Sequence, residues 1–143
     1  MLKNIPQNIG PDLLKILNEM GHGDDIVIAD GNFPAASKAK RLIRMDGLSA
    51  TEVLDSILKL FPLDTYVENP VSLMQVVKGD TYVPTIWDEF KKIIIDNNEP
   101  LEEFEYLEKP EFYSKSEKAY AIVATSEKAL YANIILKKGV INY

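Results

Sequence analysis

The 143-residue chain contains no cysteine, and that absence removes disulfide scaffolds, thiolate metal centres and thiol nucleophiles together. It contains a single histidine, His22, so no cluster of imidazoles exists to hold zinc or another transition metal. Positive charge is in deficit: 16 Lys and Arg stand against 22 Asp and Glu, a formal net charge of −6. A nucleic-acid backbone or an anionic membrane surface rewards the opposite sign, which argues against both as partners. Long apolar runs are missing as well. Segments such as 26–29 and 93–95 fall far short of the ~20 residues a bilayer requires, and Pro6 and Gly10 interrupt the N-terminal stretch before any leader pattern develops. The expectation is a soluble cytoplasmic protein. Finally, no G-x-S-x-G, G-x-x-x-x-G-K or G-x-G-x-x-G occurs, so serine hydrolysis, P-loop chemistry and dinucleotide cofactors are not expected.

What is present is an ordinary globular composition, 46% hydrophobic and 27% charged, enough for one domain over residues 1–143 with a real core. Pro11 and Asp12 suit the first turn of a helix whose Leu13, Ile16, Leu17 and Met20 repeat at i, i+3, i+4, i+7, and Gly21 reads as its left-handed stop. Residues 26–29 read as a strand buried on both faces, with Asp30 at its carboxyl end. The stretch GNFPAASKAK reads as a loop, and 42–45 as a second strand closed by an Asp46-Gly47 turn. Ser49 and Glu52 have capping-box spacing before a helix that buries Val53, Leu54, Ile57, Leu58 and Phe61. A strand over 71–77 follows, then a helix opened by Thr85 with Ile86, Phe90, Ile93 and Ile94 inward. An edge strand is expected over 104–107, and two last strands over 120–124 and 131–136. Alternation of helices and strands gives an α/β fold class with a mostly parallel central sheet flanked by helices.

Ligands of such sheets gather at the carboxyl ends of the strands. Asp30 sits there, as either a turn residue or a ligand contact. His22 sits at the other end of that strand, as either a loop residue capping helix carbonyls or a proton-transfer group. Four or five extended residues cover roughly 15 Å, so a site that uses both side chains calls for a second subunit. Tyr131 and Asn133 alternate on the expected last strand and so share a face, and an asparagine there is out of place by propensity. Trp87, Phe90 and Phe61 read as core, Asp24, Asp25 and the Lys137-Lys138 pair as solvated.

The stretches MLKNIPQNIGPDLLKILNEMGHGDDIVIADGNFPA, RMDGLSATEVLDSILKLFPLD and FYSKSEKAYAIVATSEKALYANIILKKGV resemble the family of L-fucose mutarotases and D-ribose pyranases almost end to end. Phe33-Pro34 after Asp30, the Asp46-Gly47-Leu48 turn, Phe112-Tyr113 and YANIILKKG are closer to the L-fucose branch. The resemblance implies interconversion of sugar anomers without cofactor or metal, in a homo-decamer with sites at subunit boundaries. It implies that His22 is the catalytic proton donor. Asp30, Tyr131 and Asn133 would contact the monosaccharide, and Lys109 and Tyr113 would reach it. Lys109 stands where the L-fucose enzymes carry arginine, which keeps the charge and loses the planar fork.

Overall fold

The computed structural model describes all 143 residues. Helix α1 (Pro11–Glu19) starts on Pro11, whose missing N–H costs nothing in a first turn, and it buries Leu13, Ile16 and Leu17. Its end differs from the expected glycine stop. Met20 leaves the helix in an extended conformation (φ −60°, ψ 135°), and the left-handed region is entered only at Gly23 (φ +86°). The chain therefore turns between the two glycines flanking His22 before entering β1 (Asp25–Ala29).

β1 is central and alternates its side chains between two layers. Ile26 and Ile28 join a core of 26 buried residues, with Leu13 and Leu17 of α1, Val53, Leu54 and Ile57 of α3 (Ala50–Leu58), and Phe90 and Ile94 of α4 (Ile86–Asp96). Val27 and Ala29 face a smaller core of 10 buried residues that includes Ala35 of the four-residue helix α2 (Ala35–Lys38) and Phe112 of α5 (Lys109–Lys118). The other strands are β2 (Leu42–Met45), β3 (Val71–Met74), β4 (Glu105–Leu107), β5 (Ala121–Thr125) and β6 (Ile134–Lys137), in the order β2-β5-β1-β6-β3-β4. All pairings are parallel except the two made by β6. The mostly parallel sheet is thus present, with its last strand reversed.

The capping box forms as read: the Glu52 N–H donates to Ser49 Oγ, and the Glu52 carboxylate accepts the Ser49 N–H. Three departures have local causes. The loop after Asp30 holds α2, too short for periodicity to reveal. The third strand stops at Met74, three residues early, where the chain turns out to form a wall of the site. Helix α5 was not legible because it buries only Phe112 and Ser116, although Pro110 in its first turn and Lys115 and Lys118 in its last fit a helix. Two surface readings also change. Lys137 is no free strand end, since its Nζ lies 3.0 Å from Asp25 Oδ1, and Asp24 and Asp25 are half-buried.

Beyond β6 the chain crosses close to the segment that follows α3. Gly139 donates its N–H to Pro62 O (2.8 Å), and a Cβ built on it would sit 2.4 Å from Leu63 O. Gly139→Ala must push the 62–64 backbone away. A loss of ~1–3 kcal/mol is expected, as for other forced insertions into packed structure, read as a lowered thermal unfolding midpoint. An unchanged midpoint would mean that this crossing yields freely.

Candidate active site

Asp30 leaves β1 buried, only 6% exposed. Its Oδ1 accepts the Asn32 N–H (3.0 Å) and its Oδ2 accepts from Asn133 Nδ2 (3.1 Å), while its own N–H donates to Asn133 Oδ1 (2.8 Å). Asn133 therefore grips both backbone and carboxylate of Asp30, which explains a buried amide next to a strand. Burial pushes the Asp30 carboxyl above the usual carboxylate range, against hydrogen bonds from Asn32, Phe33, Asn133 and Ala132 that pull it down. Its proton is thus held more tightly folded than unfolded. Stability falls as pH rises from the ordinary carboxylate value through the raised one, a cost that a ligand hydroxyl donating to the carboxylate relieves.

Around Asp30 lies a pocket of about 280 Å³, whose wall also includes Asn32, Phe33, Asp80, Lys109, Tyr113 and Tyr131. Asn133 lines it too. Tyr131 and Asn133 reach it by a route other than strand alternation. β6 begins only at Ile134, and Tyr131 occupies a turn with φ +57°, a conformation a tyrosine adopts only when its surroundings hold it. Trp87, read as core, packs half-buried against the larger core and supplies part of that hold: its Nε1–H donates to the Tyr131 carbonyl (2.9 Å). The Tyr131 hydroxyl donates to Asp80 Oδ2 (2.8 Å) and accepts the Val77 N–H (3.3 Å), and Tyr82 stacks on its ring with centroids 6.0 Å apart. Lys109 opens α5 with its Nζ 5.5 Å from the Tyr113 ring centroid, and Tyr113 packs edge-on against Phe33 (5.3 Å). Two carboxylates, one lysine, two phenols and amides in one concavity match a small polyhydroxylated ligand. Nothing local marks Asp80 in the sequence, where Gly79-Asp80 looks like any turn.

His22 is elsewhere. Asp30, Lys109, Tyr113, Tyr131 and Asn133 gather in one pocket, whereas His22 lies beyond the amino end of β1, across about 16 Å of extended chain. Its side chain is 45% exposed, and its Nε2 is 3.0 Å from Oδ1 of the buried Asp64. The Tyr66 ring packs against the imidazole at 5.3 Å between centroids. Sequence reasoning missed this partnership, because 42 residues separate the pair and only the fold joins them.

No helix is long and apolar enough to cross a membrane. The model of the RbsD / FucU transport protein family matches residues 3–141. The L-fucose mutarotase of Actinobacillus pleuropneumoniae serotype 5b (strain L20) is 45% identical over 140 residues, covering 98% of this chain and 97% of that protein. The human fucose mutarotase is 44% identical over 146 residues, covering 98% and 94%. Among solved structures, the fucose mutarotase of Streptococcus pneumoniae in complex with L-fucose superposes with a TM-score of 0.94 at 56% identity, over 99% of this chain and 100% of that one. RbsD of Bacillus subtilis complexed with D-ribose is more distant, with a TM-score of 0.78 at 25% identity over 99% and 100%. Full-length matches of this kind, on a chain whose carboxylate pocket sits at the carboxyl end of β1, place it: it belongs to the RbsD / FucU family.

Proposed function

We propose that this protein is a mutarotase of free monosaccharides, an isomerase acting first on L-fucose. The supporting observation is the full-length 56% identity to the L-fucose-bound S. pneumoniae enzyme, on a chain whose pocket carries Asp30, Lys109, Tyr113, Tyr131 and Asn133 together. In the reaction the anomeric hydroxyl loses its proton, the ring oxygen gains one, and the bond between C1 and the ring oxygen breaks. The open aldehyde turns about its C1–C2 bond and closes on the other face. The chemistry needs one group able to take and give a proton near neutral pH, and His22 is that group. Asp30 and Lys109 hold sugar hydroxyls, Tyr131 fixes the ring, Tyr113 forms the rim, and Asn133 keeps Asp30 in place.

Because β1 separates His22 from the pocket, the complete site joins His22 of one subunit to the Asp30 pocket of another. The assembly proposed is a homo-oligomer, a decamer as the resemblance implies, working in the cytoplasm on a free sugar without metal or cofactor.

The test is proton saturation transfer between the two anomeric signals of L-fucose. Exchange well above the buffer rate is expected. Exchange at the buffer rate with L-fucose, but rapid interconversion of ribose ring forms, would favour a pyranase, the activity class of the D-ribose branch. Binding without any exchange would leave a sugar-binding oligomer.

A further inference from the structure

Asp64 is the buried carboxylate to which neither the pocket nor the reaction above gives a task. It is 3% exposed, and its position is fixed by backbone as well as side chain. Its N–H donates to Lys137 O (3.0 Å), Leu63 bridges Lys138, and Gly139 crosses behind them, so the turn after α3 is clamped to the end of β6. From this clamp Oδ1 receives two hydrogen bonds, from the Tyr66 N–H (3.0 Å) and from His22 Nε2 (3.0 Å). Burial alone would raise the Asp64 carboxyl. The Tyr66 N–H, the His22 hydrogen bond and the charges of His22 and Lys137 outweigh it and hold the carboxyl below its usual value. Asp64 is therefore a carboxylate, which accepts and never donates.

We infer that Asp64 is the positioning residue that sets the tautomer of His22, with Nδ1 as the nitrogen that exchanges protons with the sugar. The inference rests on the mutarotase reading and names the atom that does its chemistry. A carboxylate facing Nε2 requires the hydrogen there, so the neutral ring keeps its lone pair on Nδ1. Nδ1 makes no hydrogen bond within the chain, and the 45% exposure of the side chain leaves it open to a neighbouring subunit. When Nδ1 takes the proton of the anomeric hydroxyl, the imidazolium finds a carboxylate already in place. When it returns a proton to the ring oxygen, the starting tautomer is restored. Tyr66 against one side of the ring restricts its rotation between these events. A purely structural Asp64 would anchor the 63–66 turn and leave the tautomer open.

Since His22 is the only histidine, the test has one imidazole to observe. Long-range ¹H–¹⁵N correlation on the ¹⁵N-labelled protein, above the imidazole titration, is expected to show a protonated Nε2 and a bare Nδ1. The opposite tautomer in the unmodified protein would overturn the inference without any variant. Asp64→Leu, which removes the acceptor, is expected to give mixed tautomers and to lower kcat about tenfold or more, because a carboxylate that orients a general-base imidazole also stabilises the imidazolium, with KM for the sugar little changed. Asp64→Asn keeps an oxygen where the Tyr66 N–H demands one, so it should restore the Nε2–H tautomer, while kcat recovers only in part because the imidazolium no longer faces a charge. Wild-type kcat in a folded Asp64→Leu would also overturn the inference. If the unmodified protein exchanged no sugar, the proton-transfer role of Nδ1 would fall with the mutarotase reading, while the ¹⁵N spectrum would still report whether Asp64 holds Nε2–H.

Discussion

Replacing His22 by alanine is expected to return anomer exchange of L-fucose to the buffer rate while leaving the chain folded. The expected loss is ~10²–10⁴-fold, the usual contribution of a positioned general acid–base. The fold should survive because His22 belongs to neither buried core and makes a single side-chain hydrogen bond, to Asp64. That carboxylate keeps the Tyr66 N–H when the imidazole is gone. Saturation transfer gives the rate, and thermal unfolding of the same samples gives the stability. A variant that is folded and still fast would mean that carboxylates of the pocket, Asp30 or Asp80, carry the proton transfer instead.

The second large effect is a gain. His22→Ala and Asp30→Ala proteins, each expected to be inactive alone, should recover activity when their subunits are mixed. If one site takes His22 from one copy and Asp30 from another, a random equal mixture assembles intact sites wherever a copy with native His22 meets a copy with native Asp30. That is about a quarter of all sites in a closed ring with one orientation of contact. If each site were built from one chain, every site would keep one lesion and mixing would restore nothing. The experiment needs subunit exchange, by brief denaturation and joint refolding, and the homotypic mixtures serve as its baseline. Recovery to about a quarter would establish both the shared site and the separate tasks of the two residues. No recovery, from subunits demonstrably mixed by mass, would put His22 and Asp30 in one chain's site. That would require a conformation in which the length of β1 does not part them.

Much of this arrangement was legible because it is local. The spacing of Leu13, Ile16 and Leu17, the capping box at Ser49 and Glu52, and the apolar run before Asp30 each concern neighbours within a few residues, and backbone geometry forces their outcome. The length of β1 alone was enough to separate His22 from Asp30. Elements whose apolar signal is thin were not legible: α2 has four residues, and α5 hides one buried phenylalanine among charges. Tyr131 and Asn133 do share a side, though through a left-handed turn held by Trp87 and Asp80 rather than through a strand.

By itself, then, the sequence determined the α/β class, the main helices and strands, the absence of thiol and multi-histidine chemistry, and the candidates His22 and Asp30. The tertiary structure decided which distant residues complete them. Asn133 is clasped to Asp30 across 103 positions, Tyr131 is tied to Asp80 across 51, and Asp64 is set under His22 across 42. Those pairings depend on the strand order β2-β5-β1-β6-β3-β4, in which β6 returns antiparallel between β1 and β3. Periodicity reports only which face of an element is apolar. Which element lies beside which is settled by how all the apolar faces bury one another at once, and that is a property of the folded whole.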